Sequence, residues 1–245
     1  MHSIPNRKEG AMAQLGPATL GEDLLLLLFQ PNAGMRGTGV IAGENTLFHV
    51  LGGAVLADLG LGGHVRTIPG WGGSTRVEAV ADRPPADDIL RSAWDYVAVK
   101  PRGVQATLAA IGPTLRSPLL DRLIIRGDIR ESIHKALGLF DMKVLEDGGS
   151  GRRAGLLSDV RAVLVDGVEP QPRVVALAAL LSGSRTLPQF DPEIPWTSSV
   201  ITRAQKLEQG NWGAEAAAEA VARTITATIV SNVIVAAAVL PPQNQ

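Results

Sequence analysis

Residues 115–142 read LRSPLLDRLIIRGDIRESIHKALGLFDM, and this stretch decides the fold class. Leu115, Leu119, Leu123 and Ile124 recur at helical spacing and predict an amphipathic helix ending near Gly127. A short extended pair follows, closing on Leu139, Phe140, Asp141 and Met142. Arg122, Arg126 and Arg130 fall four apart and share a face as far as the helix lasts, with Arg116 near its start. A helix that is apolar on one side and arginine-bearing on the other, followed by a small apolar hairpin, suits docking on an anionic surface. The same pattern also describes a core helix with a solvated outer face, because charged outer faces are the norm.

Upstream, Thr19-Leu20-Gly21-Glu22 fits a capping box, and the helix it opens carries five consecutive leucines at 24–28. Apolar all round, that helix belongs inside, and it is far too short to cross a bilayer. Gly37-Thr38-Gly39-Val40-Ile41-Ala42 matches G-x-G-x-x-A in form, but a helix and a proline turn precede it where a dinucleotide site needs a strand. A second helix is expected over 47–61, with Leu47, Leu51, Val55 and Leu59 as its stripe and several Gly and Ala that let another backbone approach. Residues 64–68 and 75–80 read as two strands around Pro69-Gly70-Trp71-Gly72-Gly73. Trp71 at that tip either packs back on the body, which is the reading adopted, or stands out as an amphipathic anchor of the kind found at membrane interfaces. Asp87 or Asp88 caps a helix running to about 99, the chain breaks at 101–103, and 104–111 forms another short helix.

Downstream, Gly148, Gly149, Ser150 and Gly151 make a loop to which Arg152 and Arg153 give basic character, without the strand–loop–helix context of a phosphate cradle. Helices are expected over 156–165, 174–181 and 197–208, with an irregular proline-rich segment at 187–196. Residues 214–240 are the longest apolar segment, and 224–240 carries no charge across 17 residues. Ser231 and Asn232 interrupt it and no Lys or Arg follows, so it reads as a central core helix in preference to a membrane span.

Composition narrows the function classes. Hydrophobic residues make up 45% of the 245, enough for a sizeable core, and a net charge of −1 gives no reason to expect a nucleic-acid partner. Charge is nevertheless uneven, with seven Lys/Arg against three Asp/Glu between Lys100 and Lys135. The absence of cysteine excludes disulfides, thiol catalysis and Cys-based metal sites. His2, His49, His64 and His134 form no H-x-x-H, and no G-x-S-x-G occurs. No enzyme activity, cofactor or metal is therefore expected. The first sixteen residues lack the apolar run of a signal peptide and read as a flexible arm (1-16), which favours a cytoplasmic protein. Arg outnumbers Lys 18 to 5 beside abundant Ala and Gly, which suggests GC-rich coding and a bacterial source.

Three stretches together resemble the Golgi phosphoprotein 3 family: TLGEDLLLLLF at 19–29, LGGAVLADLGLGGHV at 51–65, and the R-G-x-I to LGLFDM junction within 115–142. The resemblance implies a mainly α fold. It would be a single-domain helical bundle over 17-241 around the apolar C-terminal helix, with two small β-hairpins near 64–80 and 128–143. It also implies a peripheral membrane protein that binds anionic phospholipid, by resemblance phosphatidylinositol 4-phosphate, through arginines pairing with phosphate oxygens. The resemblance implies a headgroup site of one tryptophan and three arginines; the tryptophan position falls on Gly43 and the arginine positions on Gly52, Pro113 and Arg116, so Arg116 is the sole inherited contact. Arg122 and Arg126 are added from their spacing. Leu137, Leu139 and Phe140 are the candidates for membrane contact or for homo-oligomer formation through the 128–143 hairpin. The alternative is a soluble self-associating scaffold or adaptor of the same fold without lipid recognition.

Overall fold

The computed structural model describes residues 15–136, 140–168, 171–210 and 222–230. They form a mainly helical protein with small antiparallel sheets, as expected. Helix α1 (Leu20–Leu28) opens on the predicted capping box. The Glu22 N–H donates to Thr19 Oγ1, and the Thr19 N–H donates to a Glu22 oxygen at 2.8 Å. Every residue of α1 is buried, which its all-round leucine pattern requires.

Helix α2 (Leu47–Leu61) lies against α1 and is buried along most of its length. Around this pair pack α3 (Asp88–Ala98), α4 (Val104–Ile111), α5 (Arg116–Ile125), α6 (Arg152–Arg161) and α7 (Pro172–Gly183). Helix α8 (Ser198–Glu208) packs on α7. Asp87 caps α3 by accepting from the Ile89 and Leu90 N–H groups at 3.0 Å. The apolar helix expected at 214–240 lies mostly outside the described residues. Of its described part, Ile225, Ile229 and Val230 are buried, and a methyl on Gly53 of α2 would stand 2.8 Å from Ile229 Cγ2.

Among the described residues, three short sheets complete the structure. Strands β1 (Phe29–Gln30) and β2 (Val40–Ile41) close the Gly-rich turn. The Gly39 backbone there lies so near the Phe29 ring that a Cβ would come within 2.2 Å of Phe29 Cζ. The G-x-G pattern thus serves aromatic packing, not nucleotide binding. Strands β3 (Val65–Pro69) and β4 (Thr75–Ala79) pair from Val65↔Ala79 to Pro69↔Thr75. A third strand, β5 (Arg102–Gly103), joins them where a simple chain break was expected. At the β3–β4 tip the expectation for Trp71 is corrected: it is 97% exposed and does not pack back on the body. Gly72 and Gly73, at φ +64° and +78°, turn the chain at this open tip.

Strands β6 (Ile129–Ala136) and β7 (Phe140–Asp147) form the second hairpin, in register from Ile129↔Asp147 to Ala136↔Phe140. It is longer than the expected 128–143. Its base is held by the Gly39 N–H donating to Leu145 O at 2.7 Å.

Candidate functional site

The arginines of 115–142 take three different positions, and only two of the four remain on an exposed surface. Arg122 was expected on an open cationic face and lies instead inside, 5% exposed. Its guanidinium meets Asp87 at 2.7 Å, Asp88, and Glu22 at 3.4 Å. Arg126 donates through Nε to Glu22 at 2.6 Å and through Nη2 to Gly16 O at 3.0 Å. Neither is free to hold a headgroup. The reason lies at the start of α1, where Glu22 sits in the core and a buried carboxylate requires a cation close by.

The same helix end gathers further charge. Asp58, from the last turn of α2, accepts the Leu20 N–H and an Arg173 Nη1 donor, the latter at 2.7 Å. Arg173 also reaches Asp23 at 2.7 Å and Ala18 O at 2.9 Å. Arg152, the first residue of α6, bridges Asp23 and Asp128, and Arg153 donates to Phe29 O at 2.7 Å. Burial pushes the Asp58 carboxyl above its ordinary pKa, against the pull of Arg173. Four arginines here face six carboxylates, so the cluster is an internal ion-pair network with no surplus of positive charge to offer a phosphate. A cavity of about 710 Å3 adjoins it, bordered by Asp58, Leu61, His64, Asp87, Leu90 and Arg173. Asp58, Asp87 and Arg173 are already committed to their ion pairs.

The positions inherited from the family resemblance do come together. Arg116, at the start of α5, pairs with Glu44 at 2.9 Å across 72 residues of sequence, and both are about half exposed. Glu44 follows Gly43, so the entry to α2 and the start of α5 face each other. What meets there has changed character. Gly52 is buried, and a methyl on it would stand 3.1 Å from Leu108 Cδ2 and 3.6 Å from Gly112 Cα. Gly112 in turn lies against the Phe48 carbonyl, where a Cβ would come within 2.3 Å of the oxygen. Helix α2 thus touches the turn before α5 backbone to backbone, and the space for an arginine at position 52 is filled. Arg116 is the one cation of the four positions, and Glu44 neutralises it.

The β6–β7 hairpin carries the exposed apolar surface. Residues opposite each other in the register share a face. On one face Arg130, Ser132 and His134 all bond Glu146, with Ser132 Oγ donating at 2.7 Å. Further out on that face come Met142 and Phe140, the latter 67% exposed. The other face shows Ile133, 65% exposed, beside Lys143 and Lys135. Leu137 and Leu139 lie outside the described residues. Sequence reasoning named Phe140 but missed Ile133 and Met142; the alternation along 129–136 and 140–147 was the signal that could have found them.

Glu146 ties the base of this hairpin together. The Ser132 hydroxyl first, then Arg130 and His134, hold its carboxyl down at about 2. An acid with a depressed folded pKa contributes stability above its ordinary value of 4.5, lost as pH falls toward 2. In an NMR titration the Glu146 carboxyl is expected to have its midpoint near 2, and Ser132→Ala should move that midpoint up toward 4.5. An unchanged midpoint would mean that the hydroxyl does not hold the carboxylate.

Among the described residues no group of His, Asp and Glu is arranged to hold a metal ion, and no helix is long and apolar enough to cross a membrane. Residues 20–224 match the sequence model of the family described as Golgi phosphoprotein 3 (GPP34). No curated protein matches the chain.

Proposed function

The chain belongs to the Golgi phosphoprotein 3 family, and on that footing we propose that it is a binding protein, not an enzyme, acting at the cytoplasmic surface of a membrane. The observation that carries this reading is the distal half of the β6–β7 hairpin, where Phe140 and Met142 stand exposed on one face and Ile133 on the other, beside Lys135 and Lys143, which pair with Asp141 and Glu131. Exposed apolar side chains near the tip, with two long cationic ones on one face, fit an interface of acyl chains below and charged headgroups above. Arg116 is the residue we assign to a headgroup phosphate, by exchanging Glu44 for the lipid. By family resemblance, phosphatidylinositol 4-phosphate is the lipid to try first.

Because Arg122 and Arg126 are spent inside, contact with the bilayer is more apolar than electrostatic. In vesicle flotation the protein should bind phosphatidylglycerol vesicles, and vesicles doped with phosphatidylinositol 4-phosphate, with only a mild loss between low and physiological salt. Phe140→Ser combined with Met142→Ser should lower binding roughly tenfold or more, given about 1.5–3 kcal/mol for each large apolar side chain withdrawn from water.

The second reading, self-association through the same hairpin, is favoured by one observation: the arginines that would attract an anionic surface are paired within the chain. It would be established, and membrane binding discarded, by absent flotation on every vesicle together with a concentration-dependent dimer that the same double variant abolishes.

A further inference from the structure

A second pocket, of about 390 Å3, opens between the C-terminus of α7 and one side of α8. That volume lies within the range of metabolite sites, roughly 300–1,000 Å3. Arg185 and Glu208 line it, together with Leu187, Pro188, Trp196 and Ile201. Nothing in the hairpin or in the cluster at the start of α1 uses these residues.

The Arg185 backbone N–H donates to Ser182 O at 3.0 Å, while its exposed side chain makes no hydrogen bond or ion pair among the described residues, although a carboxylate lines the same pocket. It follows the α7 cap residue Ser184 at φ +65°, in the left-handed region where glycine is the usual occupant. An L side chain there costs about 1–2 kcal/mol. Glu208 is half-buried, and its Oε1 accepts from Ser182 Oγ at 2.5 Å, which fixes the carboxylate at the pocket wall. Trp196 leaves 44% of its surface uncovered beside Leu187 and Ile201.

A cation and an anion that line one pocket beside an apolar wall, without pairing to each other, suit a ligand that carries both charges. We propose that this pocket binds a free α-amino acid with a large apolar side chain. The ligand carboxylate pairs with the Arg185 guanidinium, its ammonium group with the Glu208 carboxylate, and its side chain lies against Trp196, Leu187 and Ile201. Two charge-assisted pairs to the groups on the α-carbon fix the orientation, and the apolar wall selects the side chain. The site is independent of the membrane reading, and either can fail alone.

The test is isothermal titration calorimetry of the full chain with L-phenylalanine, L-leucine, 3-phenylpropionate, phenethylamine, glycine and phosphoethanolamine. L-phenylalanine or L-leucine should bind. The analogues lacking the amine, the carboxylate or the side chain should bind roughly tenfold more weakly or worse, as expected for one lost charged contact. Arg185→Gly should abolish binding while melting no lower than the parent, because glycine relieves the left-handed strain. Glu208→Gln, which keeps an acceptor for Ser182, should weaken binding at least as much as removing the ligand amine. Absence of heat with both amino acids overturns the proposal, as does unchanged binding in the two variants. Phosphoethanolamine binding as tightly as L-phenylalanine also overturns it, by assigning the pocket to a lipid headgroup.

Discussion

Replacing Arg122 by alanine is expected to lower the free energy of unfolding by about 3 kcal/mol, the lower end of the cost of breaking a buried ion pair. Glu22 is 0% exposed and would lose one of its two guanidinium partners. Arg126 at 2.6 Å and the Thr19 N–H at 2.8 Å would remain, which is why the cost stays at the lower end. Asp87 would lose its closest cation but keep its two cap bonds to α3. Urea denaturation with an unchanged m-value is the measurement. Arg116→Ala is the control: its pair with Glu44 is half exposed on both sides and should cost less than about 1 kcal/mol. Equal small losses from both variants would return Arg122 to the surface and restore the exposed arginine face that the helical spacing suggested. A large loss in Arg122→Ala alone would also mean that reduced vesicle binding by this variant reports on folding, not on a lipid contact.

The other large effect is expected from Gly52→Arg, which puts back the arginine that the family pattern carries at this position. It should not create a headgroup site. Position 52 is sealed by Leu108 Cδ2 at 3.1 Å and by the Gly112 backbone. A guanidinium there would be both overpacked and unpaired in the core, for a loss of more than about 3 kcal/mol. Gly52→Ala provides the graded comparison. A helix gains about 0.5–1 kcal/mol on exchange of an internal glycine for alanine, which offsets the tight contact with Leu108, so this variant should stay within about 1 kcal/mol of the parent. Thermal melts of the two variants, with vesicle flotation of whichever folds, decide the matter. A stable Gly52→Arg protein with new selectivity for phosphatidylinositol 4-phosphate would show that the pocket can still open, and that only the arginine had been lost.

Much of the architecture was legible in the sequence because it is local. Thr19 and Glu22 are three residues apart and satisfy each other across one helical turn, so the capping box reads directly from the chain. Asp87 caps α3 for the same reason. The leucine run at 24–28 has no polar side and therefore had to be buried. The family resemblance also rests on such short-range patterns, and the match over residues 20–224 agrees with it.

What sequence alone left open was the direction in which charged and aromatic side chains point. A spacing of four puts Arg122 and Arg126 on one face of a helix but does not say whether that face looks outward. Glu22 lies 100 residues before Arg122, and Asp87 and Asp88 lie 35 and 34 before it. Those partners arrive only when α1 and the start of α3 pack against α5, and a buried carboxylate then draws the arginines inward. Trp71 shows the reverse case: a ring large enough to pack stands exposed at a tip turned by two left-handed glycines. Local spacing thus determined which elements form, where they begin and which family they compose. The tertiary structure decided which cations are already spent and which surfaces remain for a partner, because ion pairing and burial depend on residues far apart in the chain.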